Sequence, residues 1–425
     1  MEVTYQLDFA QELKKCVRCG KCRTSCPVFH ELRGESASPR GRLALVKALQ
    51  TGELEPSEEL ADRLYTCLLC KTCAVDCPSG VISDEIFVAA REYLAEALGQ
   101  PLMQRALLRG FLTRPGLHSS ASSLMRLYQK SGAAALLDKT HLIEHLPEKA
   151  GAAARLLPDV AGKPGRKRLH EVTPAQGEKK YRVSYFLGCA TNLLYPQVAE
   201  DTVEVLSRNG CEVVTVDDVK CCGMPHLAYG DVDTARELAR ENLRALADAG
   251  SDYVVSDCAS CSATLGESYQ HLFGPGTPEQ ARAKELADTV YDVSRFLVEV
   301  TGIQPGEHQV EATVTYHDPC HLSRAQKVTE QPREVLRAVP GVEFREMAEA
   351  DRCCGSAGSF SVMHHDISTK ILDRKIDNVE ATKSEVVATS CPTCTMQLSF
   401  GLRERGSKAD VVHPVQLLAR SYRGR

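Results

Sequence analysis

The chain has 425 residues, long enough for two to four domains, with the 43% hydrophobic and 25% charged content of an ordinary globular protein. A net charge of −5 argues against a general nucleic-acid binder, and the lack of Trp argues against base- or sugar-stacking platforms. No apolar run reaches the ~18 residues of a membrane span, and Met1-Glu2-Val3-Thr4-Tyr5 lacks the charged-then-apolar pattern of a secretory signal.

Cysteine is the outlier, with nineteen copies. A long chain without a secretory pattern is a poor disulfide scaffold, and an odd count leaves one thiol over. In a reducing compartment, clustered cysteines are metal ligands or redox groups. The first cluster is Cys16-Val-Arg-Cys19-Gly-Lys-Cys22-Arg-Thr-Ser-Cys26-Pro27. Pro39 to Gln50 then has a helical pattern, with Leu43, Val46 and Leu49 at three-residue spacing. The second cluster is Cys67-Leu-Leu-Cys70-Lys-Thr-Cys73-Ala-Val-Asp-Cys77-Pro78, and each Cys repeats the first cluster after 51 residues. Asp84 is expected to cap a helix running to Leu98.

Residues 101–155 are rich in Leu, Ala and Arg, and a helical pair packed on the rest of the protein is expected. Residues 101–130 hold five Lys or Arg and no acid, so docking to a partner or an anionic membrane surface is the second reading. Residues 157–180 have linker chemistry.

From Tyr181 the rhythm alternates. Strands are expected over Arg182–Leu187, Cys211–Val216 and Tyr253–Ser256, with helices over Gln197–Arg208 and Asp233–Ala249. A second copy follows, with extended segments over Ala312–Tyr316, Val342–Glu346 and Glu385–Thr389. Its helices are expected over Arg333–Ala338 and Met363–Ala381. The pattern predicts parallel α/β sheets whose ligands gather at the carboxyl ends of the strands. Cys189, Cys221-Cys222-Gly223 and Cys258-Ala-Ser-Cys261 recur as Cys320, Cys353-Cys354-Gly355 and Cys391-Pro-Thr-Cys394, at offsets of 131 to 133 residues. A duplicated domain is implied, with one five-cysteine site per copy. Cys211 stays outside every set and is read as a small core residue.

The expected fold is therefore α/β overall. A helical two-cluster ferredoxin-like domain occupies 1–100, a helical segment and linker 101–180, and cysteine-rich α/β copies 181–310 and 311–425. The N-terminal runs fit two [4Fe–4S] cubanes, because three closely spaced thiolates wrap one cube while the Cys-Pro thiolate reaches the other. Cys16, Cys19, Cys22 and Cys77 are assigned to one cluster, and Cys67, Cys70, Cys73 and Cys26 to the other. Zinc is the competing reading and matches the pattern less well. For the five-cysteine sets, a larger or irregular iron–sulfur centre stands beside a four-cysteine zinc or cubane site with one spectator thiol. Spacing alone does not choose between them.

The Cys, Cys-Cys-Gly, Cys-x2-Cys pattern resembles the cysteine-rich "CCG" domain of heterodisulfide reductases. Together with Cys16–Pro27, Pro39-Arg40-Gly41-Arg42, Cys67–Gly80 and Cys353-Cys354-Gly355-Ser356-Ala357-Gly358, nearly the whole chain resembles the iron–sulfur subunits of glycolate oxidase and related D-lactate dehydrogenases. The resemblance implies non-cubane [4Fe–4S] clusters held by Cys189, Cys221, Cys222, Cys258 and Cys261, and by Cys320, Cys353, Cys354, Cys391 and Cys394. It implies a partner subunit carrying FAD, which oxidises a 2-hydroxy acid, with electrons leaving to a quinone or another carrier. The expected place is the cytoplasm, peripheral to the membrane. Some members of the glycolate oxidase group lack part of a five-cysteine set. Both sets are whole here, which keeps a heterodisulfide-reductase-like subunit as the alternative. A zinc-stabilised scaffold active only at its N-terminal clusters is a third reading.

No G-x-G-x-x-G or Walker A sequence follows a predicted strand, so a flavin is expected on another subunit. His141-Leu-Ile-Glu144-His145 matches an inverted zinc-protease motif and is read as chance or a surface helix. His226, His317 and His321 lie beside predicted ligands, and tuning a cluster and capping a loop weigh equally for them. His364-His365 is read as surface. Arg40 and Arg42 are expected to offset cluster charge or to contact a helix end. Gly223 and Gly355 are expected to let backbone approach a cluster. No catalytic residue is assigned.

Overall fold

The structure is a computed structural model. It describes residues 3–117, 148–158 and 162–424, together with Ser120, Ser123, Leu124, Arg126 and Ser131. The zinc-protease-like motif at 141–145 and part of the basic stretch lie outside the described residues.

The N-terminal part is helical. The two cysteine runs each turn into a short helix, Lys21–Ser25 and Thr72–Val75, from left-handed residues Gly20 and Lys71. The Pro39–Thr51 helix starts with Ser38 accepting from the Gly41 N–H and Pro39 in the first turn, and it ends at left-handed Gly52. Its Leu43, Val46 and Leu49 are buried, as their spacing predicts. The Ser83–Leu98 helix runs through the core, burying Ile86, Phe87, Ala89, Ala90 and Leu94. Asp84 does not cap it. The residue before the helix is Ile82, and Asp84 instead pairs from the first turn with Lys71 Nζ at 2.9 Å.

Two parallel sheets follow. The first orders its strands β1 (Val172–Thr173), β3 (Cys211–Thr215), β2 (Tyr181–Tyr185), β4 (Tyr253–Ser256) and β5 (Val290–Asp292). The second orders β7 (Val342–Phe344), β6 (Ala312–Tyr316), β8 (Val386–Ala388) and β9 (Asp410–Val412). Runs such as Val213-Val214-Thr215 suit strands covered on both faces. The four parallel strands of each sheet correspond in order. Among the described strands only β1 is antiparallel, and it lies where a linker is expected: Thr215 N–H donates to Glu171 O at 2.8 Å, covering the edge of β3. The strands missed by the sequence reading, β1, β5 and β9, have two or three residues each.

Val183, Tyr185, Val314 and Tyr316 share one buried cluster, so the two sheets have a common core. The helical part is locked onto this body through Arg91, which is 3% exposed. Its guanidinium donates to Leu64 O, Cys67 O and Ala228 O at 2.7–2.9 Å. Gly230 packs so closely there that a Cβ would lie 2.3 Å from Arg91 O, and its φ is +73°. Among the described residues, no helix is long and apolar enough to cross a membrane.

Candidate metal centres

The N-terminal thiols fall into two neighbouring groups. Cys16, Cys19, Cys22 and Cys77 line one cavity, and Cys26, Cys67, Cys70 and Cys73 line the next; Cys73 borders both. Each cavity therefore takes three thiols from one run and the Cys-Pro thiol of the other. Cys26 also caps the helix Pro27–Leu32, accepting from Phe29 N–H at 3.4 Å. Cys70 and Cys73 take side-chain contacts from Thr72 and Ser83 at 3.3 and 3.0 Å. Burial, reinforced by Cys353, pushes the Cys70 thiol up to about 12.

The flanking arginines hold loops. Arg42 is 1% exposed and donates to Arg63 O at 3.0 Å and to Thr66 O, closing the helix end that leads into Cys67. Arg40 pairs with Glu35 at 2.6 Å and reaches Arg18 O beside Cys19 and Cys22.

The five-cysteine sets form at the carboxyl ends of three adjacent strands. In the first half Cys189 follows β2, Cys258 follows β4, and Cys221-Cys222 lies in the loop after β3. Their thiols are linked in sequence: Cys189 to Cys221 at 3.8 Å, then Cys221 to Cys222, Cys222 to Cys261, and Cys261 to Cys258. The second half repeats this with Cys320, Cys353, Cys354, Cys394 and Cys391, and Cys354 lies 3.5 Å from Cys394. Hydrogen bonds from Cys221 and Cys261 hold Cys222 well below the usual thiol range, and Cys320 and Cys354 do the same for Cys353. Such crowded, mostly buried soft donors suit iron–sulfur groups.

The sites also touch each other. Cys258 and Cys391 act on each other's thiols, and Ala259 N–H donates to Ser390 O at 2.9 Å, joining the two halves. Cys70 lies against Cys353 and Cys320, joining the second half to the N-terminal part. Arg324, whose charge acts on those three thiols, bonds Asp351 O at 2.6 Å and Cys70 O at 3.5 Å.

The histidines separate. His226 is a buried tie, with Nε2 3.0 Å from Leu108 O. His321 bridges Ser260 Oγ at 3.1 Å and Leu69 O at 3.3 Å, across three parts of the chain. His317 is buried beside Cys354 and Cys394. His364 and His365 are half-buried rather than on the open surface, packing on Phe360 and Phe400. Gly223 and Gly355 are also required by their backbone, and Gly355 N–H lies 3.4 Å from Cys353 Sγ. Both have left-handed φ, +94° and +85°, and a Cβ at Gly355 would lie 2.7 Å from Ser368 O of the neighbouring helix. Cys211 is fully buried in β3 and takes no part in a site.

Sequence reasoning missed two cations near the second set. One is Arg324. The other is Lys375, fully buried, bonded to Ala350 O and pushed down to about 8 by burial. The available signal was a lysine on the apolar face of a helix, beside Ile371, Leu372, Ile376 and Val379.

A helical dicluster part followed by a duplicated cysteine-rich α/β body defines an iron–sulfur electron-transfer protein, a subunit of an oxidoreductase. Family models agree along the chain: a 4Fe-4S dicluster domain over 12–81, the linker region of glycolate oxidase iron-sulfur subunits over 99–157, and the cysteine-rich CCG domain over 183–266 and 314–399. A probable glycolate oxidase iron-sulfur subunit of Bacillus subtilis is 34% identical over 96% of this chain and 93% of that protein. The chain belongs to the family of glycolate oxidase iron–sulfur subunits. Lactate utilization protein A of Shouchella clausii is 35% identical over 56% of this chain and 98% of that protein. A subunit of the fumarate reductase (CoM/CoB) of Methanothermobacter marburgensis is 28% identical over 97% of this chain and 73% of that protein.

Proposed function

We propose that this subunit serves a flavin-dependent 2-hydroxy-acid dehydrogenase, with glycolate as the first candidate substrate and D-lactate as the second. The observation that carries this reading is the end-to-end likeness to a glycolate oxidase subunit, including the matched linker region. The lactate utilization proteins align with only 56% of the chain.

In this reading FAD sits on a partner subunit. Cys16, Cys19, Cys22 and Cys77 hold one [4Fe–4S] cluster, and Cys26, Cys67, Cys70 and Cys73 hold a second. The two five-cysteine sets hold one non-cubane [4Fe–4S] cluster each. Bound clusters of this kind pass electrons singly, where a flavin collects two. The protein's own part is to fix the thiols, exclude water and set local charge. It buries nearly all the thiols of the second half and places Arg324 and Lys375 beside them. The domains are assigned as 1–100, 101–180, 181–310 and 311–425.

The subunit works in the cytoplasm, at the inner face of the membrane, and delivers electrons to a quinone or another carrier. Leu102, Met103 and Leu107 are exposed beside Arg105, which suits a docking face.

A heterodisulfide-type reading is kept for one reason: both five-cysteine sets are whole, and a CoM/CoB-type subunit aligns over 97% of the chain. Anaerobic affinity purification from the native host, with partners identified by mass spectrometry, separates the two. Recovery of an FAD-binding hydroxy-acid dehydrogenase supports the first reading. Recovery of thiol-metabolism proteins or a haem-bearing membrane subunit, without such a flavoprotein, overturns it.

A further inference from the structure

We propose that His317 is a nitrogen donor to the metal group of the second five-cysteine set, so that the two halves hold chemically different centres. The inference rests on the reading that this set holds an iron–sulfur group.

The imidazole is 1% exposed, and neither ring nitrogen makes a well-formed hydrogen bond, the Ala350 backbone being the polar group nearest to one. A buried imidazole of purely structural role is bonded, as His413 is through Nε2 to Asp257 O and through Nδ1 to Val415 N–H. His317 instead offers a ring nitrogen within 4.8 Å of the sulfurs of Cys354 and Cys394, which are themselves 3.5 Å apart. Two donors on one tetrahedral ion, with bonds of about 2.1–2.3 Å, lie roughly 3.4–3.8 Å apart. The spacing leaves the imidazole within reach of the same metal group as these two thiols, which it would hold as one ligand beside them.

The first half provides an internal control. Phe186 holds the equivalent place, at the same strand end. Its N–H donates to Val255 O at 2.9 Å, as that of His317 donates to Ala388 O at 2.9 Å. The strand-end backbone bond recurs while the side chain differs: a phenyl ring goes with five thiols in one half and an imidazole with five thiols in the other, where Arg324 and Lys375 also add charge. An imidazole standing in for one of the five thiolates leaves less negative charge on a cluster, and this raises its reduction potential. The duplicated sites thereby acquire a built-in difference in potential, with the second as the better acceptor.

The test is pulsed EPR on the anaerobically purified full-length protein carrying 15N-histidine. The expected result is a strongly coupled histidine nitrogen on the signal that disappears in Cys354→Ser. That coupling is lost in His317→Cys, which keeps a donor so that iron content holds, and it is retained in Phe186→Leu. The midpoint potential of the second site falls in His317→Cys, read by absorbance where its iron is EPR-silent. A missing or merely weak nitrogen coupling, a coupling that survives in His317→Cys, or an unchanged potential overturns the proposal. If Cys354→Ser keeps wild-type iron and sulfide, the underlying reading fails as well. If it loses them and no histidine nitrogen is coupled, only the present inference fails.

Discussion

Cys258 and Cys391, equivalent cysteines of the two halves, lie close enough for each to act on the other's thiol. The duplicated sites therefore meet back to back, and a change in one thiol reaches both. Cys391→Ser is expected to remove about four iron atoms per chain from the second set, to alter the EPR signal of the first, and to leave the N-terminal signals in place. Iron analysis and EPR check this. An undisturbed first-set signal speaks against coupling at this contact.

Arg324 places a fixed positive charge beside Cys70, Cys320 and Cys353. Its replacement by Met should lower the potentials of the groups held there by on the order of 50–100 mV, from Coulomb's law at an effective dielectric near 20. Redox potentiometry of the anaerobic variant measures the shift.

Lys71 stands between Cys70 and Cys73 in the chain and pairs with Asp84 at 2.9 Å, Glu267 at 3.0 Å and Glu85 at 3.6 Å. Tyr5 adds its hydroxyl to Glu85. Lys71→Met leaves buried carboxylates unpaired and should cost about 3 kcal/mol. Adding Glu85→Gln should recover part of it in thermal unfolding.

His413 confers a pH dependence with a defined sign. Burial pushes it down to about 4, against the opposing pull of its bond to Asp257 O and of Cys391. The unfolded ring binds its proton near pH 6.5, so the stabilisation is complete above that pH and is lost as pH falls towards 4. The loss amounts to at most about 3 kcal/mol. The Tm difference between wild type and His413→Gln should shrink over this interval; a constant difference would rule the account out.

Arg91→Leu strands the carbonyls of Leu64, Cys67 and Ala228 and should destabilise the chain by about 3 kcal/mol. Gly230→Ala is expected to act at the same seam. Its methyl has no room beside Arg91 O, and its φ is unfavourable for L residues. Limited proteolysis and Tm report both.

The sequence was most legible where one local period decides structure. The Tyr253–Ser256 and Ala312–Tyr316 strands were expected with the bounds found, and the helix expected from Pro39 to Gln50 runs to Thr51. β5 escaped because it runs straight from the helix Pro278–Thr289 into the helix Val293–Phe296, and β9 because Asp410-Val411-Val412 offers only two apolar residues. Asp84 misled because an acid in a first helical turn reads as a cap, while its partner Lys71 lies in the preceding cysteine run. Motif spacing grouped the thiols within each half. It carried no information on which halves meet, so neither the Cys258–Cys391 contact nor Cys70 against Cys353 was legible. Both are products of tertiary docking. Lys375 was hidden for a related reason: its burial depends on Ala350 and Met347, which lie in a loop packed against its helix.

The bridge from Leu69 O to His321, spanning 252 residues, bears on biosynthesis. The N-terminal cysteines leave the ribosome long before the residues that cover them exist. Leu64, Leu69, Ile86 and Phe87 belong to a core completed by Leu227, Val232 and Tyr269, so a nascent N-terminal segment exposes apolar surface and open thiols together. The order of synthesis thus places final cofactor burial after the second half has folded back. A chain stalled or truncated before that point is the form that needs chaperone cover and protection from oxygen.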